Sequence, residues 1–160
     1  MGFAYKDTIS PALKKAAAGI ADKRPILEAM GLQLTSLTIR AFNEPKLRAA
    51  PWANKSDGSV ATLRKNQVLV HSIRIVALTS SSVTVGTDRV YAAIHQLGGV
   101  IRPKNGGLLV FNVGGRTIFA KKVTIPARPF FPFIGDQMTQ LAQDRIRKIA
   151  EAKIAALFKA

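Results

Sequence analysis

The chain has no cysteine, which removes disulfides, thiolate metal sites and a cysteine nucleophile. Acidic residues are scarce. Nine Asp and Glu stand against 24 Lys and Arg in 160 residues, a formal net charge of +15. None falls between Asp88 and Asp136, a stretch that holds Arg89, Arg102, Lys104, Arg116, Lys121, Lys122 and Arg128. A surface of one sign attracts polyanions or an acidic protein. No apolar run approaches the roughly 20 residues that a membrane-spanning helix needs, so no membrane is expected as a partner. The start "MGFAYKDTIS" lacks the basic and then apolar order of a secretory signal, and synthesis in the cytoplasm is the expectation. His71 and His95 are the only histidines, and neither lies in a nucleophile motif or in a zinc-binding pair. The glycine pairs at Gly98, Gly106 and Gly114 are not followed by the lysine and hydroxyl of a phosphate loop. With no nucleophile, base and orienting group in any pattern, the chain reads as non-enzymatic, with no cofactor and no metal.

Apolar residues make up 48%, enough for an ordered core. Ser10-Pro11 is a good helix start, followed by Leu13, Ala16, Ala17 and Ile20 on one face. A second helix follows Pro25, with Leu27, Met30, Leu34 and Leu37 as its stripe, and Phe42 and Pro45 end it. The Pro-, Asn- and Ser-rich stretch around Trp52 predicts a surface connection in which the indole either plugs a core edge or meets a partner. The β-branched residues from Val68 predict a hairpin, Val68 to Leu78 and Val83 to Gly86, turned by Ser80 to Ser82. "YAAIHQLG" predicts a short helical turn closed by glycine. "LLVF", "NVGG" and "RTIFAKKVTI" predict a second hairpin, whose return strand runs on with Phe119, Val123 and Ile125 on one side. Prolines 126, 129 and 132 force an extended segment, after which Asp136 is expected to cap a final helix with Met138, Ala142, Ile146, Ile149, Ile154 and Leu157 inside. The class is α+β: N-terminal helices, an antiparallel β-sheet with a protruding β-hairpin, and a C-terminal helix. One domain over residues 1–160 is expected, with the hairpin arm at about 100–125.

Four side chains carry open alternatives. His95 either bonds a neighbouring carbonyl and holds an irregular turn, or faces a neighbouring subunit. Arg128, between Pro126 and Pro129, is either solvated or fixed as a bidentate partner for a carboxylate or for carbonyls. Phe130 and Phe131, with Phe133, either all join the core or, because consecutive residues of an extended segment point apart, leave one of Phe130 and Phe131 for a partner to bury.

"YAAIHQLGG" and, further on, "PKNGGLLVFNVGGRTIFAKKVTIPARPF" resemble the two signature blocks of the phage virion morphogenesis proteins, the tail-completion or neck proteins of Mu-like tailed phages. "PWA" near Trp52, "ATLRK" at 61–65, "HSIRI" at 71–75 and "VGT" at 85–87 are similar to weaker family blocks, in the right order. The chain departs from the pattern at Asn66-Gln67, where a threonine-glycine turn is usual, and at Asn54-Lys55, where proline and leucine are usual. The resemblance marks Tyr91, Ala92, His95, Gly98 and Gly99, together with Pro126, Ala127, Arg128, Pro129 and Phe130, as the structural motif residues. It implies a structural virion protein at the neck, assembled as a ring, by analogy of six subunits. Its implied partners are other copies of itself, a head-side connector or adaptor, a tail terminator or tail tube protein, and packaged DNA in the channel. Arg102, Lys104, Arg116, Lys121 and Lys122 then become the candidates for facing DNA or an acidic connector surface. The rival reading is a stand-alone basic DNA-binding protein, which rests on charge alone and lacks a recognition-helix motif.

Overall fold

The computed structural model describes residues 14, 17–19 and 21–159. Of the first expected helix, Lys14, residues 17–19 and Ala21 are helical, while Ser10, Pro11, Leu13, Ala16 and Ile20 lie outside the described residues. Helix α1 spans Arg24–Ala41, with Pro25 in its first turn, where a missing N–H costs nothing. Leu37, Thr38 and Ala41 are buried on it, and Leu27, Met30 and Leu34 are half-buried. Gly31 makes room for a sheet. A side chain there would stand 2.5 Å from Val83 and 2.9 Å from Ile75.

Those two residues belong to strands β1 (Arg74–Leu78) and β2 (Val83–Gly86), an antiparallel hairpin with a bulge between Ile75 and Ala77. The expected first strand is shorter than its β-branched sequence predicts, because Val68–His71 forms a short helix, α2. Gln67 enters it at φ +53, the left-handed conformation that a glycine takes more readily. Leu69, Val70 and Ile73 are all buried, a spacing that one helical face satisfies and an alternating strand does not. Packing overrides the local preference here.

Helix α3 (Ala92–Leu97) closes at Gly98 and leads into β3 (Gly99–Ile101). Strands β4 (Leu109–Val113) and β5 (Arg116–Ala120) pair antiparallel, and β6 (Val123–Ile125) pairs with β3. The registers describe two stretches of one long hairpin, β3 then β4 outward and β5 then β6 back. Arg102 to Leu108 interrupt it on the way out, and Lys121 and Lys122 on the way back. The continuous return strand expected from the sequence is therefore broken at its two lysines. Nor is there one extended sheet, since every described strand pairs with a single neighbour.

After the proline-rich segment, β7 (Phe133–Ile134) and β8 (Gln137–Met138) form a miniature hairpin around Gly135 at φ +58. Asp136 sits in that turn and Met138 in β8, so neither belongs to the final helix, contrary to the sequence expectation. Helix α4 runs Gln140–Lys159, and the Gln143 N–H donates to the Thr139 carbonyl at its start. It packs on α1, burying Ala142 and Ile146. The core has two centres. One holds Phe42, Trp52, Leu69, Val70, Ile73, Ala92 and Phe130, and the other Leu37, Ala41, Leu47 and Ala142. Among the described residues no helix is long and apolar enough to cross a membrane.

Candidate functional site: a clamped strap and a basic hairpin

Pro126 to Pro132 cross the molecule as an extended strap whose prolines leave few N–H groups to hold it. The chain supplies the missing partners one by one. The Arg128 N–H donates to the His95 carbonyl at 2.7 Å. The Gln96 side-chain oxygen accepts from both Phe130 N–H (2.9 Å) and Phe131 N–H (3.0 Å). The Trp52 indole N–H donates to the Pro129 carbonyl at 2.8 Å.

Arg128 is 7% exposed and pins the strap from the other side. Its Nε donates to the Ala53 carbonyl and its Nη2 to the Asn54 carbonyl, each at 2.8 Å. Of the alternatives open to it, fixation by carbonyls is the one found. Phe130 is fully buried between Phe42 and Phe131, with ring centroids 5.3 and 5.1 Å away. Phe131 is half-buried against the same cluster. The chain's own core thus buries Phe130, while Phe131 keeps part of its ring at the surface.

Gly98 lets α3 meet the strap. At φ +72, any side chain on it would lie 2.7 Å from the Ala127 nitrogen and 3.0 Å from the Ile125 carbonyl oxygen. Gly99 pairs with Ile125 in the sheet. Ala92 is buried and Tyr91 largely exposed, its ring edge-on to His95 at 6.0 Å. The half-buried His95 ring leaves Nδ1 sequestered with no hydrogen-bond partner among the described residues. Burial first, and then the nearby Arg128 charge, push its pKa below the ordinary value of 6.5.

Two participants carried no sequence expectation. Gln96 stands inside the "YAAIHQLGG" block as its one amide, and the signal was the strap itself, whose N–H groups need an acceptor. Arg48 lies with its guanidinium 3.9 Å from the centre of the Trp52 ring and donates to the Ala41 carbonyl at 2.8 Å. It holds the indole in place, and burial lowers its pKa.

The basic candidates gather elsewhere, on the long hairpin. Arg102 and Lys104 lie in the interruption of its outgoing arm, and Lys121 and Lys122 in that of its returning arm, which gives the hairpin a cationic waist. Arg116 sits opposite Val113 beside the tip. All five are exposed, and none takes part in an ion pair among the described residues.

The clamp binds one stretch of the chain to another, and the basic hairpin makes no ion pair among the described residues. Residues 5–154 match the phage virion morphogenesis family, and the chain belongs to it. That family is a structural one. Neither a curated protein nor a solved structure matches the chain significantly.

Proposed function

We propose that the protein is a non-enzymatic structural component of a tailed-phage virion. It assembles as a ring of six copies at the neck, completes the tail and joins it to the head connector around the DNA channel. The family match across nearly the whole chain is the observation that carries this reading. Two structural features support it. The clamped strap gives a rigid body, and the hairpin offers a cationic arm, without an ion pair among the described residues, that a rigid body can present in a fixed direction. Its partners in this reading are its own copies, the head-side connector and the tail terminator or tail tube.

The test is charge reversal at the waist. Lys121→Glu with Lys122→Glu, supplied to a phage lacking its own copy, leaves the monomer folded, since both positions are exposed. Electron microscopy of the lysate then shows unjoined heads and tails. Normal joining by this variant would sink the reading of the hairpin as a joining element.

A further inference from the structure

The hairpin has a second property besides its charge. Val110 and Phe119 face each other across β4 and β5 and are 60% and 63% exposed, with Leu108 beside them at 51%. The opposite face, with Leu109 and Phe111, is half-buried above a groove of about 660 Å³ that the loop at 54–56 also lines and whose edge takes in Val110. One face of the ribbon thus leans over its own domain, while the other exposes a phenylalanine, a valine and a leucine. A lone two-stranded ribbon is marginal in water and gains from a surface laid against its open face.

We infer that this outer face docks onto a different, acidic protein of the virion, through Phe119, Val110 and the cations of the waist. The inference rests on the assembly role proposed above and names the chemistry of the partner at the hairpin. Charge complementarity selects the occupant. The sequence from Arg89 to Gly135 contains no carboxylate, so an acidic surface meets attraction along the whole arm. A second copy laying its own hairpin here sets cations against cations, so the copies of the ring meet through other surfaces. Duplex DNA matches the charge but not the apolar patch. Its phosphates and sugars are held by cations and N–H donors, and its bases are stacked away from Phe119. A protein surface with an apolar cleft bordered by carboxylates satisfies both features.

The experiment places a photo-crosslinking phenylalanine analogue at position 119 and, in a second variant, at position 110. Each full-length protein is supplied to a phage lacking its own copy. Purified virions are irradiated, and the adducts are identified by mass spectrometry. An adduct with an acidic segment of a different virion protein, from either position, is the expected result. Adducts only with a second copy, only with DNA, or none from either position overturn the inference. If the protein is missing from purified virions, the assembly role falls and this inference with it. If it is present but crosslinks elsewhere, only the inference falls. Phe119→Ser provides an independent readout, because its exposure leaves the thermal unfolding midpoint unchanged while joined particles are lost. Full joining by a folded Phe119→Ser protein also overturns it.

Discussion

Arg128 is a buried cation whose side chain is held by carbonyl oxygens rather than by a carboxylate. Charged donors on two carbonyls give strong, directional bonds, and their removal leaves both acceptors without a partner. We expect Arg128→Ala to destabilise the fold by about 3 kcal/mol, read from the shift of the urea midpoint. Arg128→Lys recovers less than half of that, since a single ammonium cannot fork between two acceptors. A lysine variant as stable as the wild type would mean that the charge matters and the geometry does not. His95 belongs to the same scale. Its folded pKa lies below the unfolded value near 6.5, so the unfolded chain binds the extra proton more readily. The stability tied to neutral His95 is complete above 6.5 and is lost as the pH falls from there through the folded value. The urea midpoint of the wild type should therefore drop as the pH falls from above the ordinary value of 6.5 to below it, and that of His95→Gln should drop less. Equal drops in the two proteins would assign the effect to other groups.

At the scale of elements, the sequence was most readable where covalent constraint or strict local geometry decides the outcome. Three prolines dictate an extended strap in any surroundings, and Gly98 ends α3 because the strap backbone passes where a side chain would stand. The β4–β5 hairpin follows from "NVGG", whose two glycines both take positive φ. Where packing decides, the sequence misleads. Val68 to His71 has strand composition but folds as a helix, because Leu69, Val70 and Ile73 must reach the same core. Asp136 has the chemistry of a cap, yet Gly135 bends the chain one turn earlier and leaves the aspartate in a hairpin. The candidate site divides in the same way. Its motif residues were visible as a pattern, but Gln96 acts through partners remote in sequence, and Arg48 stacks on the nearby Trp52 in a non-helical stretch where no periodic spacing announces the contact.

For the molecule as a whole, the net charge of +15 governs association. Copies closing into a ring bring like charges together, and at low ionic strength the field of each copy extends far enough to oppose the next. The screening length falls from about 30 Å at 0.01 M salt to about 8 Å at physiological strength. Light scattering should therefore show a monomer in dilute buffer and larger species as salt rises, with the ring-sized form stabilised once repulsion is screened. Short duplex DNA gives the contrasting measurement. Any +15 protein binds it in dilute buffer, but the hairpin sets its cations beside the exposed Val110 and Phe119, which offer phosphates nothing. Binding should then be gone by about 0.15 M salt. A protein that stays monomeric at every salt concentration, and still holds duplex tightly at physiological strength, would behave as a free DNA-binding protein. In that case the acid-free stretch serves phosphate contacts, and the neck assignment gives way.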